Sequence, residues 1–184
     1  MCVCLSKTGI SCCLAINISE KKIINILNKV NNPPGRLQRI YYKKKRSEIY
    51  IDYAHTPDAL EKILKSLKNK SKKPNLVFGC GGDRDKSKRK NMGIIAKNFA
   101  SKVYITDDNP RNENATNIRK NILKYCPNAV DIANRKQAIK KALQEIGIEE
   151  TLIIAGKGHE KVQIIKNKIK KFDDLQVVKN FIQN

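Results

Sequence analysis

Apolar residues in this chain fall into helical stripes and short runs that alternate with one another. Ser19 stands before a stripe of Ile23, Ile26, Leu27 and Val30, at i, i+3, i+4 and i+7, which predicts a helix capped by that serine. Asn31-Asn32-Pro33-Pro34-Gly35 stops it, and this cluster of breakers is the best candidate for a domain boundary or hinge. Residues 48–53 then read as a strand. Thr56-Pro57-Asp58 opens a helix with a cap, a proline in the first turn and an acid near the positive end, and Leu60, Ile63, Leu64 and Leu67 form its buried face. A second strand at 76–78 leads to a helix burying Met92, Ile95, Ala96 and Phe99, and a third at 103–106 leads to one carrying Ile118, Ile122 and Leu123. A short strand at 129–132 precedes a helix from about Asn134, with Ile139, Ala142, Leu143 and Ile146 inward and Gly147 as its stop. Residues 151–155 form a buried strand, 162–165 and 168–172 a hairpin, and Asp173 or Asp174 caps a last helix. Residues 1–18 carry little readable pattern.

Alternation of this kind predicts an α/β fold: a doubly wound, mostly parallel sheet of about six strands, with a terminal β-hairpin and a short helical N-terminal extension. At 184 residues the chain holds one good-sized domain and a short extension.

Charge changes this picture less than its size suggests. Thirty-eight Lys and Arg against seventeen Asp and Glu give +21, which taken alone points to nucleic acid or an acidic small molecule. The lysines are scattered among Ile and Asn, as a general drift in composition would leave them, and only six Tyr and four Phe are present to stack on bases, so no nucleic-acid partner is expected. Cys2, Cys4, Cys12 and Cys13 crowd the start in a spacing that matches no zinc pattern. With no signal peptide, reduced thiols and a cytoplasmic setting are expected. No apolar run approaches the roughly 18 residues of a membrane span.

Four strand ends carry polar signals, and a doubly wound sheet brings such ends to one edge. They are Asp52-Tyr53-Ala54-His55, the loop from Gly79 to Arg84, Asp107-Asp108-Asn109-Pro110-Arg111, and Gly156-Lys157-Gly158-His159-Glu160. Each is ambiguous alone. Gly79-x-Gly81-Gly82 is neither a dinucleotide fingerprint nor a phosphate loop and serves equally as a tight turn. His55, followed by a helix start, is more often a hydrogen-bonded turn histidine than a catalyst, and His159 is no better placed. Arg111 reads as a solvated turn arginine, or as a guanidinium fixed at the sheet rim to grip an anion. Glu160 either receives an ammonium or is simply exposed. Together, Arg84 and Arg111 beside Asp108, Asn109 and Glu160 suit a zwitterion such as an amino acid, whose carboxylate and ammonium need opposite partners in one pocket.

Five ordered segments carry a resemblance. Pro34-Gly35-Arg36-Leu37-Gln38, residues 52–60, residues 78–86, Asp108-Asn109-Pro110-Arg111 and residues 155–160 resemble, in order and spacing, the C-terminal domain of the Mur ligases, nearest the type that adds meso-diaminopimelate to UDP-N-acetylmuramoyl-L-alanyl-D-glutamate. The likeness covers roughly residues 19–184. It implies a dinucleotide-binding-like fold over 36–184, with 1–35 a remnant of the central ATPase domain and hinge. It also implies that Arg84 and Arg111 hold the distal carboxylate of diaminopimelate, that Asp108 and Asn109 shape that pocket, and that Gly156 and Glu160 meet its distal amino group. Arg36 and Asp52 resemble residues that meet ATP, with Tyr53 and His55 nearby. Arg111 would separate diaminopimelate from lysine, which lacks the second carboxylate.

The resemblance implies ATP, Mg2+ and the UDP-MurNAc-dipeptide as further partners of the reaction. The G-T-x-G-K-T phosphate loop, the magnesium-binding residues and the carbamylated lysine of complete members are not in this sequence, and Ser87, Lys90 and Asn91 replace the family's Gly and Pro-Leu. The chain alone is therefore expected not to catalyse acyl-phosphate formation. A separate chain carrying those domains would complete the reaction. The rival expectations are a non-catalytic product of a split or decayed gene, a basic anion-binding module, or a relative that adds another amino acid.

Overall fold

The computed structural model describes residues 3–27, 33–68 and 72–183. The elements are α1 (Val3–Ala15), α2 (Glu20–Leu27), β1 (Gln38–Tyr42), β2 (Ser47–Asp52), α3 (Pro57–Ser66), β3 (Asn75–Phe78), α4 (Lys88–Phe99), β4 (Val103–Ile105), α5 (Ala115–Leu123), β5 (Val130–Asp131), α6 (Arg135–Glu145), β6 (Thr151–Ala155), β7 (Val162–Ile165), β8 (Lys168–Lys171) and α7 (Asp174–Gln183).

The period-two alternation of the central strands sorts the core into two layers. In β3, Leu76 and Phe78 join one layer and Val77 the other; in β6, Ile153 and Ala155 oppose Leu152 and Ile154. Each sheet face then needs an apolar helix stripe to cover it. α3, α4 and α5 cover the first with Leu60, Met92 and Ile118; α6 and α7 cover the second with Ile139, Leu143 and Val178.

Strand order in the sheet is β1-β2-β6-β3-β4-β5, while β7 and β8 pair separately as an antiparallel hairpin. β1 runs antiparallel to β2, and the other neighbours are parallel. The expected doubly wound, mostly parallel sheet is therefore present, with β6 inserted between β2 and β3. That insertion aligns the carboxyl ends of β2, β6, β3 and β4, with Asp52 beside Ala155 and Phe78 beside Ile105.

Local details depart from expectation in physically simple ways. The sixth strand of the sheet is β1, an edge strand lying between Pro-Pro-Gly and a lysine run, whose modest alternation is easily overlooked. α1 forms where no pattern was readable because it carries no apolar stripe. Thr56 caps α3 as anticipated, its Oγ1 accepting from the Ala59 N–H at 3.3 Å. The Ser19 carbonyl accepts from the Ile23 N–H at the start of α2. Asp173, not Asp174, caps α7, its Oδ1 accepting from the Leu175 N–H at 2.8 Å. Val30 and two breaker residues, Asn31 and Asn32, lie outside the described residues.

Asp174 instead turns inward. Its carboxylate takes a two-pronged bond from Arg135, Nε to Oδ1 at 2.8 Å and Nη2 to Oδ2 at 2.7 Å, and both side chains are wholly buried. Nη2 also donates to the Ala155 carbonyl at 3.0 Å, so one guanidinium ties the first turns of α6 and α7 to the end of β6. Asp174→Ala leaves that charge dry and unpaired. It is expected to cost about 3–5 kcal/mol, read as a lowered urea midpoint, against a total stability on the order of 5–15 kcal/mol.

A second expectation concerns pH. Glu145 accepts from Lys102, Tyr104 and Lys141 at 2.7, 2.6 and 2.9 Å, and these bonds, Lys102's foremost, hold its carboxyl down to about 2. A lowered folded-state pKa contributes stability above the unfolded value that is lost as pH falls through the folded one. Glu145→Gln should therefore destabilise the chain at pH 7 by about 1 kcal/mol or less, this being a partly exposed cluster. The gap between variant and wild type should narrow below the ordinary glutamate pKa and close toward pH 2 in urea melts at several pH values.

Candidate functional site

Four loops leave the aligned strand ends, and those after β3 and β4 touch. A Cβ on Gly79 would stand 2.1 Å from the Thr106 carbonyl oxygen, so only glycine lets the turn after β3 lie against the turn after β4. The contact continues outward: the Gly82 N–H donates to the Asn109 carbonyl at 2.9 Å, and Asn112 Nδ2 to Asp83 Oδ2 at 2.8 Å. Behind them the buried Arg89 grips both oxygens of Glu113 at 2.9 and 3.0 Å, holding that carboxyl below its usual range, and Glu113 also accepts from the Asp83 N–H.

Arg111 is built into this lacing. Its backbone adopts φ +51°, unusual for a residue with a side chain, and is held there by the hairpin: its N–H donates to the Ile164 carbonyl at 3.1 Å and its carbonyl accepts from the Lys166 N–H at 2.7 Å. Nη1 donates to the Gly82 carbonyl at 2.8 Å, while among the described residues Nε and Nη2 have no acceptor. Arg111 is thus a half-buried, oriented guanidinium with donors to spare. Arg84 lines the same cleft and is exposed.

Acidic groups meet across the loops after β4 and β6. Asn109 Nδ2 donates to Glu160 Oε2 at 2.9 Å, and Asn109 Oδ1 accepts from the Ile164 N–H at 3.0 Å. Gly156 has φ +110°, and a Cβ there would stand 3.0 Å from Asp108 Oδ2. Beneath them lies Lys157, fully buried, with Nζ 2.9 Å from Asn109 Oδ1, 3.3 Å from Asp108 Oδ1 and 3.4 Å from Glu160 Oε2. Asp107, next door, points elsewhere and pairs with Arg119, which also holds Asp131. Burial raises the Asp107 carboxyl despite that partner. Burial lowers Arg119, but its two carboxylates outweigh this and raise it.

The structure brings Arg84, Asp108, Asn109, Arg111, Gly156 and Glu160 onto one cleft of ≈ 380 Å³, which Tyr53 and His55 also line. Arg36 and Asp52 do not line it. Asp52 fastens the backbone at the rim, its Oδ2 accepting from the Leu37 N–H and its Oδ1 from the Ala54 N–H, both at 2.7 Å. Arg36, carried over the strand ends by this anchor, lies 4.5 Å from the Tyr53 ring, which has the His55 ring at 4.6 Å and the His159 ring at 5.3 Å. Lys157 and Lys88, whose Nζ donates to the His55 carbonyl at 3.0 Å, were not singled out from sequence. Lys157 lay between two glycines at a buried strand's end, which is the signal that could have flagged it.

A larger hollow of ≈ 1100 Å³ lies between α6, α7 and the hairpin, with Tyr42 and Phe181 among its lining and lysines at its rim. Its lining sets five lysines against one carboxylate, Asp173, whose Oδ1 already caps α7, whereas the smaller cleft at the strand ends sets arginines against Asp108 and Glu160 and is the better candidate. Among the described residues no group of three or more His, Cys, Asp or Glu could hold a metal ion, and no helix is long and apolar enough to cross a membrane.

This chain matches the family model described as the Mur ligase, glutamate ligase domain, over residues 35–158. It belongs to the Mur ligase family. It is 48% identical over 161 residues to the UDP-N-acetylmuramoyl-L-alanyl-D-glutamate--2,6-diaminopimelate ligase of Rickettsia bellii, covering 85% of this chain and 33% of that protein. It is 42% identical over 179 residues to the ligase 1 of that name from Clostridium acetobutylicum, covering 95% and 37%. A solved structure of a ligase of this name superimposes with TM-score 0.74 at 34% identity over 92% of this chain and 35% of the other. The UDP-N-acetylmuramate-alanine ligase of Thermotoga maritima shares the fold, with TM-score 0.64 at 14% identity over 97% of this chain and 36% of that one. The chain thus spans about a third of the length of these relatives.

The Mur-type edge depends on the contact between the loops after β3 and β4. Gly79→Ala should force them apart and cost about 1–3 kcal/mol in thermal or urea melts, whereas Gly9→Ala, within α1 and with nothing inside 4 Å, should cost nothing and stabilise slightly.

Proposed function

We propose that this chain is the amino-acid-binding domain of a diaminopimelate-adding Mur ligase. The observation that carries the reading is the meeting of two guanidinium groups, Arg84 and Arg111, with two carboxylates, Asp108 and Glu160, on one cleft. A free amino acid with a second carboxylate fits such a site, because each of its charges finds an opposite partner. In this reading the guanidinium groups take the distal carboxylate, Asp108 and Asn109 shape the pocket, and Gly156 and Glu160 receive the distal ammonium. The names of the relatives support the choice of amino acid.

The Arg36–Tyr53 stack, with Asp52 and His55, forms the face offered to ATP. Mg2+ would be held by the two thirds of the relatives' length that this chain does not span. In the complete reaction a carboxylate oxygen of the D-glutamyl group of the UDP-MurNAc-dipeptide takes the γ-phosphoryl group of ATP, whose β–γ P–O bond breaks to release ADP, and an acyl phosphate results. The diaminopimelate amine forms the new C–N bond, phosphate leaves with the C–O electron pair, and the ammonium proton is shed. This chain's residues hold the nucleophile for that attack, in the cytoplasm, for peptidoglycan synthesis. Residues 36–184 are taken as the domain and 1–35 as hinge and remnant of the central domain; the start of the family match at residue 35 and the exposure of Leu14, Ile16 and Ile24 support this division.

Isothermal titration of the 184-residue chain tests the reading. meso-Diaminopimelate is expected to bind about tenfold or more tighter than L-lysine, and Arg111→Ala should erase the difference, since a hydrogen-bonded charge contact contributes about 1.5–3 kcal/mol. Equal binding of lysine by wild type would sink the diaminopimelate assignment. Without the remaining domains, the chain should release no phosphate from ATP in the presence of Mg2+ and both substrates.

A further inference from the structure

The buried ammonium of Lys157 has no part in the pocket just proposed, yet it touches every acidic or amide group on that pocket's ammonium-receiving side. It is wholly screened from solvent and reaches Asn109, Asp108 and Glu160 with one Nζ. A lysine is rarely dry unless its charge is matched, and here two carboxylates face it.

The pattern of occupied atoms is informative. Lys157 takes Oδ1 of Asp108 and Oε2 of Glu160; among the described residues Asp108 Oδ2 and Glu160 Oε1 accept nothing. Asp108 Oδ2 is the oxygen a Gly156 side chain would crowd, and both residues line the cleft. Lys157 also sets the Asn109 amide: with Oδ1 committed to Nζ and to the Ile164 N–H, Nδ2 must turn to Glu160. The charge count follows. Two carboxylates and one ammonium leave this corner one negative charge, which a single incoming ammonium neutralises.

Resting on the pocket reading above, we propose that Lys157 is a positioning and specificity-determining residue: it fixes one oxygen each of Asp108 and Glu160 from behind, leaves their other oxygens for a ligand ammonium, and sets the corner's charge so that it accepts one. Lys157 does not touch the ligand. It acts through Asp108, Asn109 and Glu160, and a ligand without an ammonium should be indifferent to it.

Titration calorimetry with meso-diaminopimelate and with pimelate, the same dicarboxylate lacking both amines, separates this from a general structural role. Wild type is expected to prefer diaminopimelate. Lys157→Met should lose about tenfold or more in affinity for diaminopimelate and no more than about twofold for pimelate, and Lys157→Met combined with Asp108→Asn, which restores the single negative charge, should recover much of the loss. A folded Lys157→Met chain that keeps the full preference overturns the role of Lys157 and leaves the pocket standing. Equal weakening of both ligands makes Lys157 structural only and also overturns it. If the single variant does not fold, the double variant decides: a preference for diaminopimelate supports the proposal, while its absence, or failure of both variants to fold, rejects it. A wild type indifferent to the amines of diaminopimelate rejects the pocket itself, and the inference with it.

Discussion

The contact on which this architecture hangs is the dry guanidinium of Arg135. Three elements that are distant in sequence, the start of α6, the start of α7 and the end of β6, meet in it through Asp174 and the Ala155 carbonyl. A buried ion pair of this kind is a poor source of net stability, because desolvation offsets most of its attraction, but it tolerates very few alternative arrangements. Its consequence is positional. Ala155 is the last residue of β6, and the next five carry Gly156 and Glu160 into the cleft and Lys157 beneath it. Fixing the Ala155 carbonyl therefore fixes where the acidic corner begins.

A second layer of constraint comes from the hairpin. β7 and β8 stand apart from the main sheet, yet Ile164 offers its carbonyl to the backbone of Arg111 and its N–H to the side chain of Asn109. The hairpin thus holds an arginine in a left-handed conformation and an asparagine in one amide orientation at once. Strain at a single residue on the rim of a cleft persists only where neighbours enforce it, and here the neighbours belong to an element with no place in the sheet. Opposite charges are kept a few residues apart, Arg111 on one side of Pro110 and Asp108 on the other, without collapsing onto each other. Each is already committed elsewhere, Arg111 to the Gly82 carbonyl and Asp108 to Lys157.

Much of the fold was legible because it is written in local periods. Leu60, Ile63 and Leu64 announce α3, and the unbroken run Leu152-Ile153-Ile154 announces a strand buried on both faces. β1 was not legible, since an edge strand with one half-buried face between prolines and lysines has little pattern to offer. The convergence of the four loops followed from strand polarity alone. Their interior did not. Asn109 and Glu160 are 51 residues apart and Lys157 and Asp108 49, so no local rule pairs them, and residue type misleads for a lysine that ends fully buried. Asp107 and Asp108 illustrate the same gap: adjacent acids in one turn, one turned back to Arg119 and the other to the cleft.

The excess of positive charge, which first suggested a polyanion partner, looks different once burial is considered. Arg89, Arg119, Arg135 and Lys157 are the described cations that are largely or wholly dry, and each faces at least one carboxylate: Glu113, then Asp107 and Asp131, then Asp174, then Asp108 and Glu160. Six of the seventeen acidic residues are thus tied to four buried cations, and all four lie behind the strand ends or brace their loops. The exposed lysines, some of them paired on the surface as Lys102 and Lys141 are with Glu145, are a background that salt screens. Removing Glu113 or Asp174 would strand a buried guanidinium, whereas Arg119 and Lys157 would each keep a second carboxylate. The charges that organise this edge are therefore these six carboxylates and the four dry cations they face, rather than the many exposed lysines.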